Sequence, residues 1–238
     1  VDAHLQSNPG LLEGFNPQGF SNLIWAFATA EEKAPKLFEA VDAHLHTNPG
    51  LLEGFNPQGI SNLLWSYAEQ RHDAHGLFEL ISKHMMVKGL DDYEAQDLSM
   101  ALRAYAVLYH PVDDVIIHAS LQRALRDPNV FTPQELANIM NAAVVFEKLD
   151  VATLKVLASA MASMDLQEEH YCSVFQSCLG VQLTSPDSSA VSLLPAPMHD
   201  SAKRLWQEQA KVYQHQSALQ HNVLKVLNRW GSSATRSG

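Results

Sequence analysis

The chain has 238 residues, 46% of them hydrophobic and 18% charged, a composition that excludes disorder throughout and allows a sizeable core. Its apolar runs, such as 142–146, fall well short of the ~20 residues of a membrane-spanning helix, so no membrane association is expected. The net charge of -10 is uneven: Lys and Arg number 10 against 24 acidic residues before Met198, and 6 against 2 from there on, an acidic body with a basic tail.

Residues 1–28 return at 41–68 with 22 of 28 positions identical, the changes being Gln6/His46, Ser7/Thr47, Phe20/Ile60, Ile24/Leu64, Ala26/Ser66 and Phe27/Tyr67. Weaker echoes of the block begin at Tyr93 and Phe131. A unit this short cannot bury its apolar face alone, so neighbours must stack into a continuous core, and function is expected along a surface instead of in one deep pocket. The chain opens inside the second half of a unit, which predicts a piece of a longer protein, with any N-terminal targeting segment lying before Val1.

The anchors Phe15, Phe55, Tyr93 and Phe131 are spaced by 40, 38 and 38 residues, and each announces a helix. In the first unit Asn16-Pro17 is a start signal, and Phe15 can staple to Phe20. Phe20, Leu23, Ile24 and Phe27 then form a helical stripe expected to face the core. After a break at Glu31-Glu32, Leu37, Phe38, Val41 and Leu45 predict a second helix, closed by the turn signal Asn48-Pro49-Gly50. The second unit repeats this with Asn56-Pro57, a Phe55 to Ile60 staple, a break at His72-Asp73, and Leu77, Phe78, Ile81 and Met85. The third breaks at 111–114. The fourth opens with Thr132-Pro133 and Glu135, a capping box, with Phe131 stapled to Leu136.

No β-rich run occurs. The expectation is an all-α fold, an α-solenoid of stacked helical hairpins with a period of 38–40 residues, over 1–179. A degenerate fifth unit begins near Met164. Residues 180–197 read as a Ser/Pro-rich linker, 198–231 as a C-terminal helical pair carried by residues such as Leu205, Trp206, Val223 and Leu227, and 232–238 as a disordered tail. Cys172 and Cys178, six residues apart, fit neither a zinc hook nor a disulfide framework and are expected to be reduced, packed thiols.

The strings FNPQGFSNLIWAFA, FNPQGISNLLWSYA and FTPQELANIMNAAV resemble the first helix of the octotricopeptide repeat, an organellar RNA-binding family whose pattern reads F-x-P-Q-E-L-A-N-x-L-W-A-L-A and whose unit length matches the 38-residue spacing here. About two thirds of the chain shares the resemblance. The tail, with Leu194-Pro195, Trp206, Ser217, Gln220, Val223 and Leu227, is similar to the segment that precedes a RAP domain in many such proteins. A related helical array occurs in a subunit of a mitochondrial RNA-editing substrate-binding complex. The resemblance implies binding of single-stranded RNA in a mitochondrion or chloroplast, for transcript processing, stability or translation. The third unit departs from the pattern: it lacks the Pro, and it has Met100 for Asn and Arg103 for Trp. No RAP domain is found up to Gly238, so no activity of that domain is expected of these residues.

On the side of the first helix opposite its stripe lie Gln18, Ser21, Asn22 and Trp25. Repeat proteins that read RNA assign about one base to each unit through two or three side chains, which makes these residues candidates for base contact. Their equivalents are Ser61, Asn62 and Trp65 in the second unit, Ser99, Met100 and Arg103 in the third, and Ala137, Asn138 and Asn141 in the fourth. The first two units are expected to favour the same nucleotide. A packing role is equally consistent with the sequence, Asn22 tying the turn between hairpins and Trp25 lying against the next unit.

Arg103, Arg123, Arg126, Lys148 and Lys155, with Lys203, Arg204, Lys211, Lys225 and Arg229 in the tail, are the phosphate candidates, because RNA affinity usually rests on Lys and Arg. The acidic pairs Glu31-Glu32, Asp91-Asp92 and Asp113-Asp114 are read as helix caps. His72-x-x-His75 is half a metal site with no second pair at ligand spacing. Without G-x-S-x-G, P-loop, G-x-G-x-x-G or H-E-x-x-H, the expectation is a non-enzyme with no cofactor. The alternative to RNA binding is a protein-interaction scaffold within an organellar ribonucleoprotein, its acidic faces gripping a basic partner.

Overall fold

The structure, a computed structural model, describes residues 10–185 and 194–212. Among these it is all-α: α1 (Pro17–Thr29), α2 (Pro35–Thr47), α3 (Pro57–Gln70), α4 (His75–Lys88), α5 (Ala95–Leu108), α6 (Asp114–Arg126), α7 (Pro133–Val145), α8 (Val151–Met161), α9 (Glu168–Thr184) and α10 (Ala196–Val212). The short 3-10 segments Leu11–Gly14, Pro49–Gly54 and Pro128–Val130 lead into α1, α3 and α7. The chain divides into two compact units, Val1–Ala119 and Ser120–Gly238, with the division inside α6.

The first helices start where their caps put them. Asn16 Oδ1 accepts from Gly19 N at 2.8 Å and Asn56 Oδ1 from Gly59 N at 2.7 Å, each with Pro in the first turn, where a missing N–H leaves no bond unmade. Glu94 with Asp97, and Thr132 with Glu135, close reciprocal capping boxes on α5 and α7. Phe15 reaches Phe20 with ring centroids 5.7 Å apart, the staple expected for the first unit.

The helices also stop alike. Glu31, Arg71, Tyr109 and Glu147 all take a left-handed conformation, with φ between 49° and 58°. The residue after each donates its N–H back to the helix: Glu32 to Phe27, His72 to Tyr67, His110 to Tyr105 and Lys148 to Ala143. This is a Schellman-type stop at the same register in four units, built without glycine. It corrects one expectation, since Glu31-Glu32 ends α1 and does not cap α2. Asp113 does cap, its Oδ1 accepting from Val115 N at 2.9 Å, whereas α5 is capped by Glu94 and not by Asp91-Asp92.

In the first compact unit, α3 packs against α1 on one side and α5 on the other, while α2 packs on α4. First helices therefore stack on first helices. The buried stripe of α1 is Phe20, Ser21, Ile24 and Ala28; Leu23 and Phe27, expected in the core, are only half-buried. In α3 the stripe widens to include Ile60, Ser61, Leu63, Leu64, Tyr67 and Ala68, because neighbours cover it on both sides.

In the second compact unit α9 packs on α7, and α10 packs on α9. The contact of Phe175 with Trp206 (centroids 5.6 Å apart) and the burial of Leu194, Met198 and Ala202 anchor α10 there. Helix α9 runs to Thr184 and α10 starts at Ala196, so both ends of the expected linker 180–197 are helical. At Gly180 α9 lies so close to α7 that a β-carbon there would overlap the Val144 side chain. The second helix of the expected C-terminal pair and the 232–238 tail lie outside the described residues. Cys172 and Cys178 are buried free thiols, and burial pushes Cys178 up to about 12, which keeps it protonated.

Candidate nucleic-acid interface

Helix α1, PQGFSNLIWAFAT, carries no charged residue, and α3, PQGISNLLWSYAEQ, carries only Glu69. From Gln18 to Trp25 and from Gln58 to Trp65 their shared outer lane is uncharged, and exposed Glu69 follows Trp65 on the same side of α3. Gln18, Asn22 and Trp25, related by i, i+4 and i+7, are exposed on α1; Gln58 is exposed, and Asn62 and Trp65 half-exposed, at the equivalent places of α3. The acidic residues of this unit fall mainly elsewhere, as with Glu39 and Asp42 on α2, Glu79 on α4 and Glu53 in the intervening turn.

The serines do not belong to the lane. Ser21 Oγ donates to Pro17 O at 3.2 Å and, across the interface, lies 3.1 Å from Gly59 O. Ser61 Oγ donates to Pro57 O at 2.8 Å and Ser99 Oγ to Gln96 O at 3.0 Å. All three are buried. A serine at this position is small enough for two first helices to approach and satisfies its hydroxyl on backbone carbonyls, so its expected base contact is replaced by a packing role.

Between α1 and α3 opens a cavity of about 220 Å³ lined by Gln18, Ser21, Asn22, Gly54, Phe55, Asn56, Gln58, Gly59 and Asn62. It contains five carboxamides and no ionisable side chain. Asn56 is committed to the cap of α3. No hydrogen bond among the described residues uses the side chains of Asn22 or Asn62, which leaves their donors and acceptors facing the groove. The expectation named Gln18, Ser21, Asn22 and Asn62 among these residues; as contacts it missed Phe55, Asn56, Gln58 and the glycines.

Within the first compact unit the lane changes character on α5. On α5 Met100 is half-exposed, and Arg103 Nη1 reaches Glu69 Oε1 on α3 at 2.5 Å, so this cation is balanced by an acidic neighbour. In the second compact unit Gln134 Nε2 donates to Asn138 Oδ1 at 2.9 Å, keeping Asn138 on the half-exposed side of α7. Asn141, expected to stand where the tryptophans do, accepts a hydrogen bond from Ser177 of α9 at 2.7 Å and ties two helices together. No family model matches the chain, and no curated protein matches its sequence.

Among the phosphate candidates, Arg126, Lys155 and Lys203 are exposed. Arg204 lies 3.9 Å from Glu208, and Arg123 and Lys148 have interactions within the chain. Lys225 and Arg229 lie outside the described residues, as does the side chain of Lys211.

The histidines of the half-site diverge. His72 lies tilted against Phe38 and edge to face with Tyr67, at 5.8 and 5.7 Å, while His75 Nδ1 lies 3.3 Å from His110 Nδ1. His110 Nε2 lies 3.2 Å from Asp73 Oδ1. Among the described residues no group of three or more His, Cys, Asp or Glu side chains is placed to hold a metal ion, and no helix is long and apolar enough to cross a membrane.

Proposed function

We propose that this chain binds single-stranded RNA along the Gln–Asn–Trp lane of its first helices, in a mitochondrion or chloroplast, where it steers the processing, stability or translation of a transcript. The observation that carries this reading is the neutral, carboxamide-lined cavity between the two near-identical first helices, with Asn22 and Asn62 unengaged at its edge. Unpaired nucleobases present donors and acceptors that carboxamides satisfy, and their faces stack on aromatic side chains such as Trp25. Placement of acidic side chains mainly on second helices and turns lessens the repulsion that an acidic chain would otherwise impose on phosphates along this lane. The octotricopeptide-like order of these residues in the sequence supports the organellar setting.

The test is binding of labelled single-stranded and duplex RNA to the purified chain, followed by anisotropy at increasing salt. Single strands should bind more tightly, with a shallow salt dependence reflecting few phosphate contacts. Equal affinity for both forms, or no RNA binding alongside capture of a basic ribonucleoprotein subunit, would favour the scaffold reading.

A further inference from the structure

The cavity exists because of what the third residue of each first helix is. In α5 and α7 this position holds Asp97 and Glu135, whose carboxylates turn back to the cap N–H groups of Glu94 and Thr132 at 3.1 and 2.7 Å. In α3 it is Gly59. A β-carbon at Gly59 would stand 3.0 Å from Asn56 Oδ1 and 3.2 Å from Ser21 Oγ, so the bare backbone both admits the close approach of α1 and leaves the mouth of the groove free of carboxylate.

We propose that this cavity holds one adenine base of a bound RNA, gripped on its hydrogen-bonding edge by Asn22 of one unit and Asn62 of the next. This assignment rests on the RNA reading above and deepens it. At about 220 Å³ the space lies below the roughly 300–1,000 Å³ of pockets that enclose drug-sized ligands, which suits a single heterocycle. A phosphate would find no cation in the lining and an ammonium no anion. A carboxamide carries a donor beside an acceptor, and adenine offers the complementary pair in its amino group and adjacent ring nitrogen, the match that makes Asn and Gln its usual partners. Cytosine carries a similar pair in its amino group and adjacent ring nitrogen, but as a single ring it fills less of the space than a purine. The next groove along, at α5, has Asp97 for the glycine and Met100 for the asparagine, so it does not repeat the site. The specific subsite therefore lies between units and is used once in this pair.

The experiment measures the affinity of the full chain for uridine 12-mers that carry one central adenosine, guanosine or cytidine, or none. Adenosine should raise affinity by about tenfold over the other three. Asn62→Asp and, on the exposed side, Asn22→Asp should each erase most of that preference, bringing the adenosine oligomer to within about threefold of the same variant's affinity for plain oligouridine. Glu39→Gln on α2, away from the lane, should leave it intact. Circular dichroism of each variant checks the helix content. RNA binding with no preference for adenosine, or a preference that survives both substitutions, overturns the pocket assignment alone. Absence of binding to every oligonucleotide overturns the RNA reading as well.

Discussion

Tyr67 donates its hydroxyl to the backbone carbonyl of Phe38 at 2.8 Å, and the two rings meet edge to face with centroids 5.0 Å apart. Tyr105 and Phe78 repeat both distances one unit later. His72 and His110 complete the two clusters, lying tilted against Phe38 and Phe78 at 5.8 and 4.7 Å. A first helix is thus clasped to the second helix of the preceding unit by one buried hydrogen bond and one aromatic contact. The equivalent positions in the other units, Phe27, Ala143 and Cys178, have no such hydroxyl.

Tyr67→Phe keeps the ring and removes the bond. It should cost about 1–2 kcal/mol, since a buried carbonyl loses its donor. For a chain of this length that corresponds to a fall in Tm of roughly 2–4 °C per kcal/mol, read by the loss of helical circular dichroism on heating. An unchanged midpoint would mean that the hydroxyl contributes nothing to the stacking of units.

Burial pushes the Tyr67 and Tyr105 phenols well above their ordinary value of 10, and Tyr93 in the same direction. In the unfolded chain they ionise near 10, so the stability they contribute is complete below that pH and is lost as pH rises toward the folded values. Alkaline titration should show exposed tyrosines ionising first and these three only together with the loss of helix. Full ionisation with the helices intact would contradict their burial.

Acid should act on His110. Burial lowers its proton affinity below the ordinary 6.5, with Asp73 opposing and His75 reinforcing the effect. Because the unfolded chain then takes up its proton first, this contribution to stability is present above about pH 6.5 and declines as pH falls toward the folded value. His84, lowered by burial against the pull of Glu53, acts in the same sense. The urea midpoint should drop between about pH 7.5 and about 5.5, and His110→Gln should flatten the slope. A midpoint that rises on acidification has the wrong sign for this arrangement.

Gly180→Ala should destabilise the second compact unit by about 1–3 kcal/mol, because its methyl would overlap Val144 where α9 crosses α7. Val144→Ala in the same chain should recover part of the loss. If the pair of substitutions is simply additive in unfolding experiments, the two side chains do not meet.

What the sequence made legible was local. Asn16, Asn56 and Thr132 cap helices because cap, Pro and staple act within one turn, and their spacing is visible in the letters alone. The serines were misassigned because helical periodicity says which side a residue takes but not how near the next helix comes; Ser21 is buried where α3 closes on it, its Oγ 3.1 Å from Gly59 O. The same gap hid the cavity. Its one signal in the sequence was the change at the third helical position, Gly19 and Gly59 against Asp97 and Glu135, which reads as a weaker cap until the neighbouring helix is in place. Asn141 was misplaced for a related reason, its partner Ser177 lying on a helix of the weakest repeat.

The most direct measurement of the central claim is photocrosslinking of a 4-thiouridine-containing RNA to the purified chain, with the modified peptides mapped by mass spectrometry. Adducts should concentrate on the peptides that carry Asn22 and Trp25 of α1 and Asn62 and Trp65 of α3. Adducts confined to the second helices α2 and α4, or absent altogether, would contradict an RNA-binding lane on the first helices.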